Sequence, residues 1–178
     1  TQRDLLDFAR ETLVSSTSTA SINAVQARLL GSFTDLLRQH PNYLAVRYVT
    51  FNGSVWSEVT NFDSNVPRAA SAVRPGAQAS DPALTEALAL TPGQALVSDI
   101  TFQLNPYAPI LDRLIPYIRI SSPVAPDSSF DTNISGVVQL DLQAGPVLDF
   151  IASTASSEAM AQMGRRVVVV NSAGSILY

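Results

Sequence analysis

The chain contains no cysteine and no lysine, and its one histidine is His40. Without cysteine there are no disulfides, thiolate metal sites or cysteine nucleophiles, although the compartment is left open. One histidine and no cysteine do not make a usual zinc donor set. His40 stands before Pro41, where a helix is expected to end, and there it answers the helix dipole and solvent. All 11 basic residues are arginine, they form no basic run, and the net charge is −4. Nucleic acid affinity needs clustered positive charge, so no nucleic acid partner is expected. Long apolar runs are missing too: none reaches the ~18–20 residues that cross a bilayer. The opening TQRDLLDFARE is charged and does not read as a signal peptide. Anchors of a membrane-bound parent are therefore expected outside this segment. There is no G-x-S-x-G elbow, phosphate-binding Walker loop or G-x-G-x-x-G. No catalytic residue, metal or cofactor is assigned.

The 178 residues that are there suffice for one domain with a real core, or one domain and part of another. The most informative stretch runs from Asp112 to Leu142. DRLIPYIRISSPV and ISGVVQLDL both alternate with the period of a half-buried strand, around the loop APDSSFDTN. Leu114, Ile118 and Ile120 share one face of the first run, and Tyr117 and Arg119 take the other. In the second run Val138, Leu140 and Leu142 oppose Val137, Gln139 and Asp141. Packing the apolar faces on one core leaves a face carrying Tyr117, Arg119, Gln139 and Asp141.

Upstream, Gln2 to His40 reads as a helix. The seam Leu5, Phe8, Thr12, Ser15, Thr19, Ile22, Gln26, Leu29, Phe33, Leu36 keeps a 3–4 spacing through the polar SSTSTAS. Such a helix would be about 60 Å long at ~1.5 Å per residue, so its front would pack on a partner such as a second copy. Tyr43 to Thr60 reads as a hairpin with a two-residue turn at Asn52-Gly53. That turn sets Val49 opposite Trp56 and Arg47 opposite Glu58. Leu44, Val46, Tyr48, Val55 and Val59 then face the core, and Arg47, Val49, Trp56 and Glu58 face away. Arg47 and Glu58 are expected to be a cross-strand ion pair. Asn61 to Ser80 reads as loop with a little local helix, and Asp81-Pro82 as the start of a short helix. Ala95 to Leu104 is expected to be a strand, Ala144 to Ala152 a helix, and Arg166 to Asn171 a last strand. Antiparallel strands with segregated helices predict an α+β fold.

The order of these motifs resembles the extracytoplasmic PAS-like sensor modules called PDC or Cache domains. These occur in double-module sensors of bacterial histidine kinases, diguanylate cyclases and chemoreceptors. YLAVRYVTFNGSVWSEV is similar to the family's opening hairpin, GQALVSDITFQLN to its Gly…Leu–Asn strand, PYIRISSPV to its Pro–x–Ile–Arg…Pro–Val strand and SGVVQLDL to its Gly–x–Val…Asp strand. The likeness covers roughly Ile22 to Phe150. It implies a long N-terminal helix packed on a five-stranded antiparallel PAS-like sheet, with a ligand pocket on the other face. It also implies a signalling and dimerisation helix over 1–40, a sensor module over 41–152, and a linker with the first strand of a second module over 153–178. Asp141 matches the position where ligand-binding members hold an amine. The tyrosine–arginine–tryptophan–aspartate set of the amino-acid-binding members is not present in its usual spacing.

The expected ligand-binding residues are Arg119, Asp141, Tyr117, Gln139 and Asp99. A guanidinium can grip a carboxylate with two hydrogen bonds, and an aspartate can accept from an ammonium. A small organic acid, amine or amino acid suits this set. In the alternative, Arg119 pairs with Asp141 or Asp99 and nothing binds, and the domain is a ligand-free dimerisation or interaction module of a receptor. A cytosolic PAS or GAF-like domain is the third reading. The first makes the chain an extracellular sensory domain, a homodimer through its N-terminal helix, with transmembrane helices flanking it.

Overall fold

The computed structural model describes residues 19–62, 66–70, 73–105, 114–124, 136–155, 168–172 and 174. The expected helix before Thr19, the loop APDSSFDTN and Tyr107 lie outside them.

Helix α1 spans Thr19–Gln39. Val25, Leu29, Phe33 and Leu37 recur every four residues, so they line one row of the helix surface, and all four are buried. Gln26 and Leu36, expected on the seam, flank this row and are only partly buried. A helix laid across a sheet presents its four-residue ridge, and that moves the seam by one position at each end. The His40 N–H donates to the Leu36 carbonyl at 3.1 Å. Pro41 has no N–H to continue the ladder. No described helix is long and apolar enough to cross a membrane.

Strands β1 (Tyr43–Thr50) and β2 (Val55–Thr60) form the expected hairpin with a different tip. The Gly53 N–H donates to the Thr50 carbonyl at 2.8 Å, and Gly53 has φ +78°. The loop is therefore Phe51-Asn52-Gly53, with the glycine in the left-handed position that closes a three-residue hairpin. Val49 then faces Val55, and Tyr48 faces Ser57. Trp56 is the extra residue of a bulge, which restores Arg47 opposite Glu58. Val55 and Trp56 thereby exchange their expected faces. Val55 joins Val49 and Val137, and Trp56 packs edge-on against Tyr48 on the helix side, with ring centroids 5.8 Å apart.

The segment after the hairpin carries strand where local helix was expected. Strand β3 (Arg68–Ala69) pairs with β2, and Arg74 bridges Val55. The chain then lies against the hairpin tip, where the Gln78 N–H donates to the Gly53 carbonyl at 2.9 Å. A β-carbon on Gly53 would sit 2.4 Å from the Ala79 backbone. This contact delivers Asp81 to helix α2 (Pro82–Leu88). The Asp81 carboxylate caps the helix by accepting from the Ala83 N–H at 3.0 Å. Leu84 and Ala87 bury their side chains on Val49, Val55 and Val137.

The expected third strand divides into β4 (Leu96–Val97) and β5 (Thr101–Leu104), both paired with β6 (Leu114–Val124). Strand β7 (Gly136–Gln143) lies between β6 and β1, and helix α3 (Gly145–Ala155) follows it. The order is β3-β2-β1-β7-β6-β4, with β5 also on β6, and every strand pair among the described residues is antiparallel. The fold is thus α+β, as expected. The sheet has seven strands in place of five, because β3 and β4 are two-residue edge pieces. In the described part of the expected last strand, only Val170 is bridged.

Gly136 sits where the neighbouring strand leaves no room for a side chain. A β-carbon there would lie 2.3 Å from the Val49 carbonyl oxygen and 2.8 Å from the Tyr48 ring. On the α1 side the core is Val25, Leu29, Phe33, Leu37, Val46, Tyr48, Val59, Val124 and Val138. Burying each of the large aliphatic and aromatic side chains contributes roughly 1.5–3 kcal/mol.

Candidate functional site

The register lays the opposite face of the sheet out in rows. Arg119 faces Asp141, and Asp141 faces Ala45. In the next row Glu58, Arg47, Gln139 and Ser121 stand side by side across β2, β1, β7 and β6. Beyond them lie Val49, Val55 and Val137 under α2. The expected face is therefore real, and Arg119 and Asp141 are cross-strand neighbours on it.

Asp141 is fully buried and is the hub of the charges. Arg119 grips it with both edges of a fork, Nε to Oδ1 at 2.7 Å and Nη2 to Oδ2 at 3.2 Å. Arg47 adds Nη2 to Oδ2 at 2.9 Å. Arg47 also donates from Nε to Glu58 Oε1 at 3.0 Å, and Glu58 Oε2 is paired with Arg74. At the other end Arg119 Nη1 reaches Asp81 Oδ2 at 3.4 Å. The result is an alternating chain, Asp81–Arg119–Asp141–Arg47–Glu58–Arg74, in which acids and guanidinium groups balance. Burial opposes the charge on Arg119. Hydrogen bonding to Asp141 and its charge outweigh that, with Tyr117 and Asp81 assisting, and hold the Arg119 pKa above its usual value. The Arg119 backbone is pinned as well: its N–H donates to Ser98 Oγ at 2.9 Å, and its carbonyl accepts from the Ser98 N–H at 2.8 Å.

Four of the five expected site residues come together. Tyr117 places its ring 5.4 Å from the Arg119 guanidinium carbon, within cation–π range. Gln139 is fully buried between Arg47 and Ser121, and neither its Oε1 nor its Nε2 has a hydrogen-bond partner. Asp99 does not join them. It is exposed and accepts from the Ser172 hydroxyl, so the alternative pairing of Arg119 with Asp99 is replaced by pairing with Asp81. The strand position of Asp99 next to β6 could not foretell this, because the chain turns away between β4 and β5.

Arg47 and Glu58 form the expected ion pair, but as part of a buried network rather than a solvated one. Asp81 and Arg74 were legible only as a helix cap and a loop residue. Asp81 lies 38 positions from Arg119, and no sequence signal links them.

No protein-family model matches the chain, and no curated protein matches it in sequence. Solved structures do. A domain of a sensory box/GGDEF family protein from Vibrio parahaemolyticus superposes with a TM-score of 0.59 at 16% identity, covering 85% of this chain and 54% of that one. The extracellular domain of a histidine kinase, vpHK1S-Z8, gives 0.58 at 17% identity, covering 86% and 50%. The ligand-binding domain of the Pseudomonas aeruginosa amino acid chemoreceptor PctC, solved with GABA, gives 0.51 at 16% identity, covering 99% and 64%. The chain spans about half the length of the first two. These likenesses bear out the expected PDC/Cache resemblance at the level of fold: the chain is folded as extracellular sensory domains of signalling proteins are.

Proposed function

We propose that this chain is the membrane-distal sensory module of an extracytoplasmic receptor and binds a small organic molecule on the sheet face opposite α1. The observation that carries the reading is the buried polar strip itself. A face under no selection for binding would be filled with aliphatic side chains at lower cost, because charges and amides lose hydration when buried. This face instead holds Arg47, Glu58, Gln139, Asp141 and Arg119, with an amide left unmet. The shared fold with receptor domains, one of them solved with GABA, supports the same reading. Catalysis is assigned to no residue here; any enzymatic step belongs to an output domain outside the chain. In this reading 41–152 is the sensor, 1–40 carries its state toward the membrane, and 153–178 leads to a second module.

Thermal-shift titration with amino acids, organic acids and amines tests this. We expect at least one class to raise the melting temperature saturably, and the Gln139→Leu variant to lose that response while staying folded. A panel with no saturable hit would rule the reading out.

One observation favours a second reading, a ligand-free interaction module: both Asp141 oxygens are already taken by arginine. Its dimer contact cannot run through Leu29 and Phe33, which are fully buried on the protein's own sheet. It would use the exposed side of α1, around Ala24 and Ala27. Sedimentation velocity of Ala27→Arg tests that contact: a dimer that dissociates in the variant, in a protein that no compound stabilises saturably, favours this reading over the sensor.

A further inference from the structure

Resting on the sensor reading, we infer that the site selects a carboxylate, and that Asp81 is a built-in competitor for it at the outer edge of Arg119. The opposite assignment, an ammonium held by Asp141, meets three obstacles. Asp141 is fully buried, and its Oδ1 and Oδ2 already accept from two guanidinium groups at 2.7, 2.9 and 3.2 Å. Displacing either arginine would strand a buried cation. An added ammonium would also sit against Arg47 and Arg119, where like charges repel most strongly because the surroundings are poorly solvated.

A carboxylate has a far easier entry. The contact of Arg119 with Asp81 is the loosest in the network, a single bond of 3.4 Å, and the Asp81 side chain is 25% exposed. The other oxygen of Asp81 is occupied by the Ala83 N–H. Substituting one carboxylate for another at Arg119 keeps that guanidinium paired. Gln139 supplies the second determinant. Its buried amide offers a donor and an acceptor, both without partners, one row from Arg119 and Asp141. The chemistry that satisfies both is a small carboxylate with a second hydrogen-bonding group, such as a hydroxy or amino acid.

The competition has a structural consequence. Asp81 is the N-cap of α2, and α2 covers the apolar row of the same face through Leu84 and Ala87. A ligand that takes Asp81's place on Arg119 releases the ion-pair contact at the start of that helix. Binding at the strip is thereby coupled to the position of α2, and the affinity for ligand falls by the share of molecules in which Asp81 holds the arginine.

Asp81→Asn tests this, since asparagine caps helices as well as aspartate does and α2 should stay formed. Thermal-shift titrations would compare glycolate, lactate and GABA with ethanolamine and putrescine. Asp81→Asn is expected to lower the half-saturating concentration of the carboxylates by about fivefold or more, the competitor having been weakened, and to leave the amines unchanged. Glu86→Gln removes the same charge from an exposed position on α2 and should leave both classes of compound unchanged. Equal gains in Asp81→Asn and Glu86→Gln, or no gain in Asp81→Asn, would overturn the inference. If amines stabilise the wild type and carboxylates stabilise neither protein, this inference fails while the sensor reading stands. If no compound stabilises either protein, both fail.

Discussion

The two faces of the sheet are buried to a similar degree and are held by opposite physics. Under α1, Leu29, Phe33 and Leu37 press fully buried on Val46, Val59 and Val138. Removing this surface from water is favourable in proportion to its area, and no partner has to be met with particular geometry. Across the sheet, Arg47, Glu58, Asp141 and Gln139 are buried as well. There each charge must recover its lost hydration through a specific neighbour, and the net gain is small even when it does. One face supplies the folding free energy. The other consumes some of it to hold a defined arrangement of charge, which is what a recognition surface requires.

Breaking either face should be costly, for different reasons. Phe33→Ala should lose about 3–5 kcal/mol through a cavity under α1. Asp141→Ala should lose a similar ~3–5 kcal/mol by stranding Arg119 and Arg47. Urea unfolding measures both, and a second substitution separates them. Adding Arg47→Met, Glu58→Leu and Arg119→Met to an Asp141→Leu background should recover much of the loss, because no buried charge is then left without its partner. No neighbouring change should rescue Phe33→Ala in that way.

The remaining expectations are smaller. Gln139→Leu should raise stability by about 1–3 kcal/mol in the absence of added compounds, because two unpaired buried polar atoms are replaced by hydrocarbon. A fall in the urea midpoint would show that the amide is satisfied after all. Arg74→Ala should cost less than about 1 kcal/mol, since its side chain is 52% exposed and its pairing with Glu58 is screened by solvent. The smallest effect is that of pH on Arg119. Its folded pKa is raised, so its stabilisation is complete below the usual arginine value and is lost only as pH rises through the higher folded one. A pH titration of stability across the neutral range should therefore show no contribution from Arg119.

The strands were legible because alternation survives in a single chain. Tyr117, Arg119, Gln139 and Asp141 could be placed on one face from period two alone, and the register bears this out. The hairpin shows where that reasoning stops. Asn52-Gly53 announces a tight turn, but it cannot say that the glycine closes a three-residue loop or that a bulge at Trp56 repairs the register. Two local irregularities cancel, so Arg47 stays opposite Glu58 while Val55 and Trp56 change sides. Asp99 misled for a related reason: adjacency to a strand says nothing about where an exposed connection turns.

Sequence alone determined the α+β class and the polar face that carries Arg119 and Asp141, because each follows from periodicity within one segment; the choice of Asp141 over Asp99 as the partner of Arg119 came from the register of β6 on β7. Only the tertiary structure decided that Arg47 joins the same carboxylate, that Asp81 stands at the outer edge of Arg119 and that Gln139 is buried without partners. Those contacts join segments far apart along the chain, and they exist only once β7 has inserted between β1 and β6 and the hairpin tip has fixed the path into α2.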